Sequence, residues 1–165
     1  MALRNIVREP DNVLRMKSKV VEVFDKKLWD LIDDMKQTMY KVEGVGLASP
    51  QVGVLKRVIY IDTEEGKGGV ELINPEIIKK SGVQRELEGC LSCPDKWGYV
   101  KRPMNIVVKA FNRHGREFEY KFSAYPARCV CHEIDHLNGV LFVDLVDEFV
   151  DPKDVQEVRG KKKRR

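Results

Sequence analysis

Ser123-Ala124-Tyr125-Pro126-Ala127-Arg128-Cys129-Val130-Cys131-His132-Glu133-Ile134-Asp135-His136-Leu137-Asn138-Gly139 is the stretch on which the reading of the fold turns. Ser123 reads as a helix N-cap and Pro126 as an early-helix proline, since the first-turn N–H groups have no intrahelical partner to lose. The helix is expected to run to Leu137 and to stop near Asn138-Gly139. Within it, His132-Glu133-Ile134-Asp135-His136 spells H-E-x-x-H. Residues i and i+4 share a helix face, so both imidazoles can reach one metal ion. Glu133 sits beside the first of them, where a carboxylate can take a proton from water without binding the metal itself.

Outward from this helix, Leu28, Leu31, Ile32, Met35, Met39 and Val42 recur at helical spacing, so residues 26–42 read as an amphipathic helix. Residues 56–62 and 70–74 read as strands, with a glycine-rich turn at 66–69 between them. Residues 106–112 and 117–122 are β-rich and joined at 113–116 by a hairpin turn, and Asp151-Pro152 opens a short final helix. Strands precede one central helix instead of alternating with helices. The class expected is α+β: mainly antiparallel β-sheets packed around a central metal-binding helix, with an N-terminal amphipathic helix. Length suits a single domain over residues 1–158, followed by a basic tail over residues 159–165.

A catalytic divalent ion commonly takes three protein ligands and keeps one position open. Beyond the two histidines, the candidates for the third are Cys90, Cys93, Cys129, Cys131, Asp144 and His114. Cys129 lies three residues before His132 and so on nearly the same face. Cys131 points elsewhere and reads as a small buried residue. His114 falls in a hairpin tip. Cys90 follows Gly89, which lets backbone approach a ligand closely. A structural knuckle built on Cys90 and Cys93 would account for the cysteines but leave Glu133 without a task.

Apolar residues are 42% of the 165-residue chain and charged residues 34%, ordinary for a globular protein. No apolar run approaches the roughly 20 residues that span a bilayer. The first residues carry neither a signal-peptide core nor transit character, so a cytoplasmic location is expected, and four cysteines there suit metal or redox chemistry better than a disulfide framework. The net charge of +4 is concentrated at the C-terminus, where residues 156–165 hold six basic side chains and one acid, leaving the body near neutral. That tail reads as a solvated end or as a contact with an anionic surface such as ribosomal RNA.

Three segments, in order, resemble the peptide deformylase family. Gly44-Val45-Gly46-Leu47-Ala48-Ser49-Pro50-Gln51-Val52-Gly53 resembles its first motif, Glu88-Gly89-Cys90-Leu91-Ser92 its second, and His132-Glu133-Ile134-Asp135-His136-Leu137 its third. Ser49 stands where the family has a second alanine, and Cys131 where a glutamine often precedes H-E-x-x-H. The resemblance implies removal of the N-formyl group from N-formylmethionyl peptides of nascent chains. It makes Cys90 the third metal ligand beside His132 and His136, and Glu133 the general base and then the proton donor to the leaving amine. The Gln51 side-chain amide and the Leu91 backbone N–H would hold the developing oxyanion. Gly44, Val45 and Gly46 would lie along the substrate backbone, with Gly89 nearby and Cys129 lining a methionine pocket. Trp97 and Tyr99 are candidates to flank the cleft.

One divalent ion per chain is expected. A Cys/His₂ donor set suits Zn²⁺ by the Irving–Williams order, whereas the resemblance implies Fe²⁺ as native, with Zn²⁺, Ni²⁺ or Co²⁺ as prepared. A monomer with no membrane partner is expected. The rival readings are a zinc peptidase, whose third ligand would lie downstream of His136, and a zinc-stabilised module docking nucleic acid through its tail.

Overall fold

Leu28, Leu31, Ile32, Met35 and Met39 form the buried face of a helix, α1 (Lys26–Lys41), in a computed structural model that describes residues 2–63 and 68–163. Asp25 caps it, its carboxylate accepting from the Leu28 N–H at 3.1 Å. The helix ends one residue before Val42, which is solvent-exposed.

The strands are β1 (Gly46–Ala48), β2 (Val58–Ile61), β3 (Val70–Ser81), β4 (Gln84–Cys90), β5 (Cys93–Arg102), β6 (Asn105–Phe111), β7 (Glu117–Ser123) and β8 (Glu148–Val150). Among the described residues they make two antiparallel sheets, one ordered β1-β2-β3-β6-β7 and the other β4-β5-β8. The helix bearing H-E-x-x-H is α2 (Tyr125–Leu137). The five-stranded sheet separates the two helices. Side chains alternate across a strand, so Ile59 and Ile61 pack with Val130, Ile134 and Leu137 of α2, while Val58 and Tyr60 pack with Leu31, Ile32 and Met35 of α1. A third cluster, Leu14, Cys93, Val100, Leu141 and Phe142, fills the space under the second sheet.

Several local expectations change. Ser123 is not the N-cap of α2. It ends β7 opposite Asn105 and spends its hydroxyl on Asn105 Oδ1 at 2.8 Å, so the cap falls to Ala124 at φ +57° without a side-chain bond. β3 continues through Pro75 because a register shift between Ile73 and Glu76 removes the ladder bond a proline cannot make. β1, β4, β5 and β8 lie where no period-2 pattern announced them. Of the glycine-rich turn at 66–69, residues 66 and 67 lie outside the described residues.

Asp151 accepts from the Lys153 N–H at 3.0 Å and starts a 3₁₀ turn that leads into α3 (Val155–Lys163). The boundary expected after residue 158 falls inside α3, which buries Val155. Residues 164 and 165 of the expected tail lie outside the described residues. No described helix is long and apolar enough to cross a membrane.

Candidate active site

The β4–β5 hairpin and α2 build the site together. Cys90 ends β4, and the turn Leu91-Ser92 returns the chain to Cys93, the residue opposite it. α2 presents His132 and His136 one turn apart, with ring centroids 5.1 Å from each other. One ligand atom from each of Cys90, His132 and His136 lies within 4.8 Å of the others. Cys90 Sγ is 3.4 Å from His136 Nε2.

The other candidates for the third ligand are held elsewhere. Cys93 is buried in the third core cluster, and Cys131 packs in the core between α2 and the sheet. Asp144 pairs with Arg15 at 2.5 Å, and His114 is an exposed hairpin residue set edge-on to Trp29. Cys129 lines the cleft.

Behind the histidines lies a polar chain that the sequence reading did not assign. His132 Nδ1 is 2.9 Å from Glu88 Oε1, and Arg102 donates to both Glu88 oxygens at 3.0 Å and also reaches Asp135. In the sequence Glu88 stands out only as the first residue of the Glu88-Gly89-Cys90-Leu91-Ser92 segment. The available signal was its place two residues before Cys90, a spacing that returns a strand side chain to the same face. Burial alone would raise the Glu88 carboxyl, but the His132 and Arg102 hydrogen bonds outweigh it and hold it at about 2. Burial likewise opposes charge on His132, yet Glu88 and Glu133 raise its pKa on balance. His136 has no such partner, and burial together with the nearby charges of His132 and Arg102 drives it well below the usual range.

Glu133 is almost wholly buried, and its Oε1 has no hydrogen-bond partner while lying 3.9 Å from His136 Nε2. Burial, with Glu88 and Asp135 adding and His132 and Arg102 opposing, pushes its carboxyl up to about 7. A β-carbon on Gly46 would come within 2.7 Å of Glu133 Oε2, so the glycine leaves the carboxylate its space. Gln51 is fixed at both ends of its amide. Its Oε1 accepts from the Ala48 N–H at 2.9 Å, and its Nε2 donates to Ser92 Oγ at 3.1 Å, 3.7 Å from Cys90 Sγ.

These groups open on a cleft of about 890 Å³. Gly44, Val45, Gly46 and Gln51 line it from the first sheet's side, Gly89, Cys90 and Leu91 from the second sheet's, and Cys129, His132 and Glu133 from α2. His136 is sealed behind them. Trp97 and Tyr99 line the cleft too, and the Trp97 ring takes the space a Gly89 β-carbon would fill, 2.5 Å from the nearest ring carbon. The room that Gly89 leaves therefore goes to an indole. Val158 and Arg159 of α3 complete the rim, the Arg159 guanidinium 5.0 Å above the Trp97 ring. Ser49, where the family motif has alanine, donates its buried hydroxyl to the Val54 carbonyl at 2.6 Å, so the departure costs no unpaired polar group.

Residues 3–151 match the family model described as polypeptide deformylase. The chain belongs to that family. It is 53% identical over 161 residues to the peptide deformylase of Caldicellulosiruptor bescii, an alignment covering 98% of this chain and 96% of that protein. Its fold matches the crystal structure of the deformylase from Thermotoga maritima with a TM-score of 0.85 at 40% identity, covering 89% of this chain and 99% of the other. A class I type b deformylase from Acinetobacter baumannii with Met-Ala-Ser bound matches with a TM-score of 0.84 at 34% identity, covering 88% and 99%. Membership makes the chain an enzyme of a metal-dependent hydrolase family. Its residues fit that requirement: a thiol and two imidazoles converge, one imidazole is oriented from behind by a carboxylate, and an unpartnered carboxylate stands beside them.

Proposed function

We propose that this chain hydrolyses the N-formyl group of formylmethionyl nascent polypeptides, releasing formate and a free methionine amine. The observation that carries the reading is the convergence of Cys90, His132 and His136 beside the buried, unpartnered Glu133 carboxylate. We assign one divalent ion per chain to those three ligands, Fe²⁺ as the native one. Held there, such an ion would supply Lewis-acid chemistry, making water more acidic and the formyl carbonyl more electrophilic.

The remaining steps belong to the protein's own groups. Glu133 takes the proton of the attacking water and returns it to the leaving amine, so that amide and water give formate and amine with no net loss of atoms. The Gln51 Nε2–H and the Leu91 backbone N–H face the oxygen that becomes negative. Gln51 suits this role because its amide is already oriented by Ala48 and Ser92, and a preorganised donor of this kind is worth about 10²–10³ in rate.

β1 is the outer strand of its sheet, paired only with β2 among the described strands, and its exposed Val45 neighbour lines the cleft. An extended substrate would add to that edge through Gly44, Val45 and Gly46. Cys129 and Gly89 would bound the methionine side chain. The bound Met-Ala-Ser of the Acinetobacter relative has the chemistry of the expected product. We further assign a cytoplasmic monomer, one catalytic domain over residues 1–158, and a salt-dependent ribosome contact through residues 159–165.

The test is formate release from a formyl-Met tripeptide by anaerobically purified, Fe²⁺-loaded protein, beside Glu133→Gln. Turnover by the parent and its collapse in a variant that keeps fold and metal supports the assignment. A folded, iron-loaded parent that releases no formate overturns it.

A further inference from the structure

Cys90 has a second thiol at its back. Cys93 stands directly opposite it across the two-residue turn Leu91-Ser92. Directly opposed residues of an antiparallel pair point to the same face with Cα atoms about 4.5–5.5 Å apart, inside the roughly 4.4–6.8 Å that a disulfide spans. Both cysteines are free. They differ in access: Cys90 lines the cleft, whereas Cys93 is 1% exposed and belongs to the core cluster against which Cys90 packs. Cys93 takes no part in the Cys90, His132 and His136 group. Leu14, Val100, Leu141 and Phe142 surround it, an environment that valine would satisfy equally well.

We propose that Cys93 is a resolving thiol for Cys90, so that a peroxide converts the pair into an intramolecular disulfide and reversibly withdraws Cys90 from the site. The peroxide oxygen adds to the Cys90 sulfur as its O–O bond breaks, giving a sulfenic acid and the first water. The Cys93 sulfur then attacks that sulfur, the S–O bond breaks, and the oxygen leaves as the second water. Two thiols lose two electrons and two protons, and one peroxide is reduced. A sulfenic acid without a neighbour of this kind proceeds to sulfinic and sulfonic acids, which thiol reductants do not repair. Its consequence for the enzyme rests on Cys90 being a ligand. The disulfide itself does not.

The experiment uses the zinc-loaded protein, because zinc has no redox chemistry of its own, with hydrogen peroxide as the probe. Peptide mass spectrometry is expected to find Cys90 and Cys93 linked in one peptide, two hydrogens lighter than the dithiol, with zinc released to a chromogenic chelator in step. Dithiothreitol is expected to restore both thiols and zinc binding. In Cys93→Val, zinc binding before oxidation is retained, Cys90 accumulates as sulfinic and sulfonic acid, and dithiothreitol recovery is lost. Equal sulfonic acid in parent and variant, or a link from Cys90 to Cys129, overturns the proposal. A Cys90–Cys93 link in a parent that never bound zinc upholds the pair and removes the metal reading instead.

Discussion

His132 Nδ1 lies 2.9 Å from Glu88 Oε1, which leaves Nε2 as the nitrogen that His132 can offer to the cleft. Glu88 is itself held by Arg102, and both side chains are nearly inaccessible, at 6% and 4%. The pair lies within the hairpin, and its further contacts, Arg102 to Asp135 and Glu88 to His132, tie the hairpin to α2. Glu88→Gln is expected to weaken zinc or iron affinity by about 10–100-fold, the usual cost of losing such an outer partner, measured by chelator competition. Glu88→Ala leaves Arg102 without its main counter-charge and is expected to cost about 3–5 kcal/mol in denaturant unfolding. Glu88→Gln keeps an acceptor oxygen but removes the charge, so unchanged affinity would show that the negative charge behind the ring does not strengthen the site.

Gly46→Ala tests the space around Glu133. The added carbon would sit 2.7 Å from Glu133 Oε2 and 3.0 Å from Ile61 Cδ1, so the carboxylate has to move. A displacement of about 1 Å at a reacting group can lower kcat/KM by about 10², while zinc affinity stays close to that of the parent. A variant of full activity would place Glu133 outside the reaction.

The acid limb of the pH profile follows from Glu133. In the proposed role of general base Glu133 works as the carboxylate, so the rate falls as pH drops through its pKa. Burial pushes that pKa up to about 7 without an ion, and a cation in the site favours the charged form and draws it down. The limb in kcat/KM is expected to have its midpoint below about 7 and to disappear from the residual rate of Glu133→Gln. A profile flat through this region would remove Glu133 as the base.

Arg159 joins α3 to the cleft through the Trp97 ring. Removing an exposed cation–π contact costs about 0.5–1 kcal/mol, so Arg159→Ala should alter thermal stability little. The side chain lines the cleft, and the expected change is in KM for longer formylated peptides, with kcat on a dipeptide retained. Equal KM shifts for short and long peptides would place the effect at the reacting centre instead.

Some of this was legible one residue at a time. The periodic apolar residues of α1, the 117–122 strand and the H-E-x-x-H spacing are local patterns, and each produced its element close to the expected place. β4 and β5 left no such trace, because polar residues such as Gln84, Glu88 and Arg102 occupy buried positions where an apolar residue would mark the inward face. Ser123 misled because an N-cap and a strand end favour the same polar residue, and only the pairing with Asn105 decided between them.

The sequence by itself determined that His132 and His136 share a helix face with Glu133 beside them, since helical geometry dictates that from spacing alone. Which cysteine joins them was open on the residues alone, where Cys90, Cys93, Cys129 and Cys131 are chemically equal. Tertiary structure brings the end of β4 against α2, so that Cys90 meets the histidines with its cross-strand partner Cys93 buried in the core behind it. The same packing buried Glu88 and Arg102 together and left Glu133 without a hydrogen-bond partner for Oε1. Those properties arise from desolvation and from contacts between segments far apart in the chain, and no local spacing encodes either.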